Sequence, residues 1–166
     1  MSTIILGVDP GSKKTGFGLI EVQGSRLIHL NHGVILLDEE SFAGRLRELG
    51  LFFSDLLKKY QPHHVVVEKI FLGKNADSAF KLGHARGVIM YKAALSGAEV
   101  FEYATRVVKK SVTGNGGAEK DQVQATLQAL LRVNSICSLD ASDALAMAYH
   151  HAIELNRMKL FKGAEL

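Results

Sequence analysis

The stretch IILGVDPGSKKTGFGLIEVQGSRLIHLNHGVILL, residues 4–37, carries three apolar runs separated by short connections. Ile4 to Asp9 reads as a strand that ends on a carboxylate. Pro10-Gly11-Ser12-Lys13-Lys14-Thr15-Gly16 is rich in turn formers and reads as a loop. Phe17 to Val22 reads as a second strand, Gln23-Gly24-Ser25 turns the chain, and Leu27 to Leu37 holds a third. Parallel neighbours need a crossover of a dozen residues or more, so connections this short predict an antiparallel meander.

Beyond the meander the period changes. Phe42, Leu46, Leu49, Phe53, Leu56, Leu57 and Tyr60 recur at spacings of three and four, one apolar stripe of a helix, with Ser41 placed to cap its start and Pro62 after its end. Val65-Val66-Val67-Glu68 is a short β-branched run of the buried parallel type. Asn75 to Leu95 reads as a second helix and Glu99 to Tyr103 as a fifth strand. Further helices are predicted near Arg106–Val112, Glu119–Arg132 and Asp140–Arg157. The order β-β-β-α-β-α-β followed by helices predicts an α/β fold, a mixed five-stranded sheet flanked by helices on both faces. It is also the ribonuclease H-like order, a fold analogy that says nothing of function by itself.

A chain of 166 residues corresponds to one domain, here residues 1–158, with residues 159–166 read as a disordered C-terminal tail. The hydrophobic content of 47% and only two prolines exclude a disordered or collagen-like chain. Cys137 is the single cysteine, so no intrachain disulfide can form, and a reducing compartment fits best. The first apolar run is too short for a signal-peptide core, and no run approaches the 18 or so apolar residues of a membrane span, so the expectation is a cytoplasmic protein without a membrane partner. The net charge of +3 is a mild basic bias. It gains meaning if several carboxylates gather at one metal site, because the remaining surface is then distinctly positive and suited to a polyanion.

Four carboxylates are candidates for such a site. Asp9 and Glu68 end the first and fourth strands, and parallel neighbours would release both at one sheet edge. Asp140 and Asp143 lie three residues apart at the start of the last helix and share a face. Each has an ordinary alternative: Asp before Pro-Gly is common turn chemistry, Asp140 suits an N-cap, and Asp143 suits the helix dipole. If the four converge, two unit charges 4 Å apart repel by about 4 kcal/mol at an effective dielectric of 20, so cations are required. Oxygen-only ligands select hard ions, Mg²⁺ with Mn²⁺ as a substitute. Zinc is disfavoured, because Cys137 is alone and the adjacent pairs His63-His64 and His150-His151 diverge on a helix or strand. Two such ions about 3.5–4 Å apart would activate water and stabilise the leaving oxygen of a phosphodiester.

The opening Ile5-Leu6-Gly7-Val8-Asp9-Pro10-Gly11-Ser12, with Thr15-Gly16-Phe17-Gly18, resembles that of the RuvC family of Holliday-junction resolvases. Val67-Glu68-Lys69-Ile70-Phe71, Lys74 to Ala79 and Leu82 to Gly87 resemble its central block. Glu102-Tyr103-Ala104, Val108-Lys109, Gly117 to Lys120 and Asp140 to Ala146 follow in the family's order, so the likeness spans residues 4–152. The resemblance implies a homodimer of ribonuclease H-like subunits that nicks two strands of a four-way DNA junction in recombination and repair, leaving 5′-phosphate and 3′-hydroxyl ends. It implies two Mg²⁺ per active site, held by Asp9, Glu68, Asp140 and Asp143 as catalytic acids. It places Lys109 and Lys120 near the scissile phosphate as catalytic and DNA-binding residues, and Phe71 as a base-stacking wedge. It also implies cooperation with the RuvA–RuvB branch-migration complex. Lys69 and Gly73 occupy positions that vary in the family, and the last dozen residues match nothing in it.

Other residues carry ordinary alternatives. Phe71 can instead be a core-capping aromatic. Lys74 and Lys81 join the DNA-binding candidates, and Lys13, Lys14, Arg86 and Lys110 add positive charge, although a lone surface lysine is usually only solvated. Gly114-Asn115-Gly116-Gly117 could approach a phosphate or simply turn the chain. His150, seven residues after Asp143, reads as a surface histidine. The helix at Asn75–Leu95 is apolar on more than one side, which suits burial against both the sheet and a partner subunit, or full burial in one core. Two further functions stay open: Asp9 to Gly16 also resembles the first phosphate loop of actin-like ATPases and sugar kinases, which need a second similar domain, and a junction-binding scaffold would not need all four acids.

Overall fold

The computed structural model describes residues 2–69 and 76–163, with side chains through residue 158. The elements run β1 (Thr3–Asp9), β2 (Lys14–Gln23), β3 (Arg26–Leu36), α1 (Phe42–Tyr60), β4 (His64–Glu68), α2 (Ala76–Leu95), β5 (Glu99–Tyr103), α3 (Thr105–Thr113), α4 (Lys120–Leu131) and α5 (Leu139–Gly163). They form one five-stranded sheet in the order β3-β2-β1-β4-β5. β1 pairs antiparallel with β2 and parallel with β4, and β4 pairs parallel with β5. The expected meander with α-connected parallel strands is the observed one.

β1 lies at the centre and is covered on both faces. Ile5 packs into a cluster with α3, α4 and α5, whereas Leu6 and Val8 pack into another with α1 and α2. Period-two alternation therefore sends Ile5, Gly7 and Asp9 toward α5. On β4, Val66 belongs to the α5 cluster and Val65 and Val67 to the opposite one, so His64, Val66 and Glu68 share the α5 face. Phe101 of β5 packs on that face too, and Tyr103 with it.

Ser41 caps α1 through its Oγ, which accepts from the Gly44 N–H, and Gln61 closes the helix in the left-handed region before Pro62. α5 crosses β1 and β2 at three glycines. A Cβ on Gly7 would lie 2.0 Å from the Ala144 carbonyl oxygen, one on Gly16 2.1 Å from that of Asp140, and one on Gly18 2.6 Å from Leu145 Cγ. Backbone meets backbone at Gly7 and Gly16, and the Leu145 side chain seats on the strand at Gly18, which no larger residue permits.

Two expectations need correction. β2 begins at Lys14, because Lys14, Thr15 and Gly16 pair with Leu36, Ile35 and Val34, and the loop is only Pro10 to Lys13. Residues 159–163, expected as tail, continue α5 to Gly163. Of the two readings left open for α2, full burial in one core is excluded: it buries Ala85, Ile89 and Ala93 and leaves Phe80, Tyr91 and Leu95 exposed. Among the described residues, no helix is long and apolar enough to cross a membrane.

Candidate active site

Parallel pairing of Val8 with Val67 releases Asp9 and Glu68 at the same sheet edge. Across that edge lies the first turn of α5. Ser138 Oγ accepts from the Ala141 N–H there, so the side-chain cap is Ser138, and Asp140 is left free of the capping role. A cavity of about 170 Å³ opens between these elements, lined by Asp9, Glu68 and Asp143, by Lys109 and Lys120, and by Tyr103 and Thr105. Asp140 stands outside that lining, with its Oδ2 2.7 Å from Lys14 Nζ, although its charge still acts on Asp9.

The carboxylates crowd one another. Burial, and then the charges of Asp143 and Glu68 with a smaller push from Asp140, together raise the Asp9 carboxyl to about 7 against the opposing charge of Lys120. Lys120 Nζ lies 2.5 Å from Asp143 Oδ2, and this hydrogen bond is the main cause that raises the lysine's own affinity for its proton. The Thr105 hydroxyl donates to Glu68 Oε1. Lys109 Nζ donates to the Ala118 carbonyl at 2.7 Å while its side chain lines the cavity. Lys81 is elsewhere, paired with Asp77 at 2.6 Å on the exposed surface of α2. Phe71 and Lys74 lie outside the described residues.

Among the described residues, no three His, Cys, Asp or Glu side chains stand together as a ready metal cage. Ammonium groups hold two of the acids, Lys14 on Asp140 and Lys120 on Asp143. The donor chemistry nevertheless fits a hard divalent ion: all four groups are carboxylates, and Asp9 stays under net like-charge repulsion even with Lys120 present. Cationic charge at this edge relieves that repulsion.

One consequence concerns stability without metal. Asp9 has a folded-state pKa near 7 against an ordinary value of 3.8. Between those values the unfolded chain has already released a proton that the folded chain retains. Stability therefore falls as pH rises through that window and stays lowered above it, by on the order of 4 kcal/mol. In EDTA at pH 8, Asp9→Asn should melt several degrees above the wild type, and the gap should close by pH 4. Equal melting temperatures at pH 8 would mean that Asp9 is not under electrostatic strain.

Sequence reasoning missed five residues. Lys14, read as solvated, holds Asp140. Thr105 and Tyr103 line the cavity, and period two in β5 was the available signal, since Phe101 and Tyr103 must share a face. His151 is 1% exposed, hydrogen-bonded to Tyr103, and His150, expected at the surface, is 4% exposed. Both follow from α5 being covered by the sheet on the side that carries Asp143.

Residues 5–151 match the family described as crossover junction endodeoxyribonuclease RuvC. The chain is 60% identical over 165 residues to the crossover junction endodeoxyribonuclease RuvC of Bdellovibrio bacteriovorus, spanning 99% of this chain and 98% of that protein. It is 47% identical over 161 residues to the protein of the same name from Geobacter sp. strain M21, spanning 96% and 98%. Among solved structures it resembles Thermus thermophilus RuvC, with a TM-score of 0.84 and 27% identity over 95% of this chain and 97% of that one. It also resembles T. thermophilus RuvC in complex with a Holliday junction substrate, with a TM-score of 0.86 and 26% identity over 93% and 96%. The ribonuclease H-like fold expected from the element order is the fold these structures share.

Proposed function

Since the chain belongs to the RuvC family of crossover junction endodeoxyribonucleases, we propose that it is a cytoplasmic, structure-specific endonuclease that resolves four-way DNA junctions. The observation that carries this reading is the convergence of Asp9, Glu68 and Asp143 on one cavity, with Asp9 raised to about 7 by burial and by its neighbours. Such an arrangement is costly unless cations and a phosphodiester complete it.

Asp9, Glu68 and Asp143 would hold two Mg²⁺, or Mn²⁺ in their place, with Asp140 joining them. Bound there, such ions lower the pKa of an attacking water and stabilise the leaving 3′ oxygen. The chain's own groups do the rest. Thr105 fixes one oxygen of Glu68 and so orients the other. Lys120, paired with Asp143 in the free protein, would neutralise a non-bridging phosphate oxygen of the bound strand. Lys109, anchored on Ala118, presents its charge to the same phosphate from α3. The strand parts with a 5′-phosphate on one side and a 3′-hydroxyl on the other, with no covalent intermediate.

A four-way junction offers two strands of like polarity, so a two-fold symmetric dimer supplies one site to each. The exposed Phe80, Tyr91 and Leu95 of α2, beside Gly83 and Gly87 whose Cβ positions are open, support a second copy there. The RuvA–RuvB branch-migration complex is the further partner this reading carries.

The test is incubation of the protein with a labelled four-way junction in EDTA, Ca²⁺ and Mg²⁺. Binding is expected in all three and cutting only in Mg²⁺, since calcium tolerates irregular coordination and misplaces the attacking water. Undiminished cutting in EDTA would remove the metal from the mechanism. Phe71→Ala is expected to melt normally and to fail selectively on intact junctions, because an inserted ring replaces about 1–3 kcal/mol of stacking per base. Loss on every substrate alike, with a lower melting temperature, would make the ring a core residue.

A further inference from the structure

A chain of polar side chains runs through the otherwise apolar interface between α5 and the sheet. The Tyr103 hydroxyl and His151 Nδ1 are 2.8 Å apart, and His151 Nε2 and His64 Nδ1 are 2.9 Å apart. His151 is 1% exposed and its ring lies 4.2 Å from that of Phe101. Burial pulls the His151 pKa down to about 4, with His64 and His150 adding to the effect, so the imidazole is neutral. A neutral imidazole donates through one nitrogen and accepts through the other, and each junction in the chain then holds one proton.

These three residues join the elements that carry the acids. His64 opens β4 and Glu68 ends it, four residues or about 13 Å away. His151 follows Asp143 by eight residues of α5, or about 12 Å. The two spans match, and α5 runs back along the strands. The His64–His151 hydrogen bond at one end therefore sets the distance from Glu68 to Asp143 at the other. Tyr103 ties the same histidine to β5, and its carbonyl accepts from the Lys69 N–H just beyond Glu68. The rest of the α5 contact gives less axial definition. The strand side chains Ile5, Ile20 and Val66 share an apolar cluster with Ala141, Leu145 and Ala148, and Leu145 seats on Gly18, but apolar contact is not directional. A slip of one turn would move Asp143 by about 5.4 Å and break both hydrogen bonds.

We infer that the His64–His151–Tyr103 chain is a positioning device that sets the register of α5 against β4 and β5, and through it the spacing of Asp143 and Asp140 from Glu68 and Asp9. This rests on the junction-cutting reading above. Buried, fully hydrogen-bonded polar networks commonly fix one arrangement among several that apolar packing alone would accept.

Tyr103→Phe, His151→Phe, the double variant and His151→Gln are compared with the full-length wild type by thermal melting, by Mn²⁺ titration of DNA-free protein followed by electron paramagnetic resonance, and by junction cutting across a Mg²⁺ series. Both Phe variants are expected to melt within a few degrees of the wild type, to bind Mn²⁺ at least tenfold more weakly, and to recover part of their cutting at high Mg²⁺. The double variant should be no worse than the worse single one, and His151→Gln should regain part of the Mn²⁺ affinity. Wild-type Mn²⁺ affinity in Tyr103→Phe, which removes one oxygen and keeps the ring, overturns the inference, as do losses that multiply in the double variant. Failure of the wild type itself to bind Mn²⁺ overturns the metal reading of the site and this inference with it.

Discussion

Asp9→Asn, Glu68→Gln and Asp143→Asn are each expected to lower the rate of junction nicking by about 10²–10⁴-fold at saturating protein, with Asp140→Asn the mildest of the four. Each amide keeps the shape of its acid and loses a charged ligand, and a loss of about 3–5 kcal/mol of transition-state stabilisation corresponds to that range. The ordering comes from geometry. Asp9, Glu68 and Asp143 line the cavity, whereas Asp140 stands outside that lining in an ion pair with Lys14. Affinity for the junction should hold or rise in every case, because removing a negative charge from a polyanion's binding surface does not weaken attraction. Single-turnover cutting in Mg²⁺, set beside electrophoretic shift of the same junction in Ca²⁺, separates the two quantities. Near wild-type nicking by any of the three cavity variants would take that residue out of the chemistry.

The positions of these acids were legible in the sequence because each closes a recognisable element. A β-branched run that ends on Glu68 and an apolar run that ends on Asp9 have only one edge to share once the strands are parallel neighbours. The spacing of Asp140 and Asp143 puts both on one face near the start of α5. The ion pairs that the lysines make were not legible, and only the family resemblance brought Lys120 to the site. Nothing in the local pattern at Lys14 or Lys120 distinguishes an ammonium that reaches across to α5 from one that is merely solvated, since both contacts join residues far apart in the chain. Histidine was misread for a related reason. His150 follows Asp143 by about two turns, and a helix whose sheet-facing stripe is made of alanines looks polar on the flank where His150 and His151 lie, although that flank is buried. The start of β2 was hidden by composition, because Lys14 and Thr15 lie between the turn formers Pro10-Gly11-Ser12 and Gly16, yet all three of Lys14, Thr15 and Gly16 are strand residues by pairing. Gly16 illustrates the conflict: it is glycine to admit the Asp140 carbonyl, and the same residue type reads as a turn when the partner helix is out of view.

That close approach leads to the most disruptive substitution outside the acids. Gly7→Ala is expected to destabilise the protein by about 3 kcal/mol or more and to reduce cutting beyond what the lost folded fraction explains. A Cβ at Gly7 would stand 2.0 Å from the Ala144 carbonyl oxygen and 2.8 Å from the Ala148 nitrogen. Both are backbone atoms of α5, and no rotamer change can move them aside. Either the helix lifts from β1 or the strand retreats into the α1–α2 side, where Leu6 and Val8 are already fully buried. Lifting the helix loosens the contacts of Ala141, Ala144, Leu145 and Ala148, all buried. A melting temperature about 6–12 °C lower follows for a domain of this size. The helix also carries Asp140 and Asp143 while the strand carries Asp9, so the same displacement opens the site. Gly50→Ala supplies the comparison: its Cβ would meet only Lys92 Cε and Val88 Cγ1, at ordinary contact distances of 3.4 Å, inside α1. There the better helix former should raise stability by about 0.5–1 kcal/mol and leave cutting unchanged. A Gly7→Ala protein that melts and cuts like the wild type would show that α5 does not rest on β1 at this point, and the seating of both helix acids would then need another explanation.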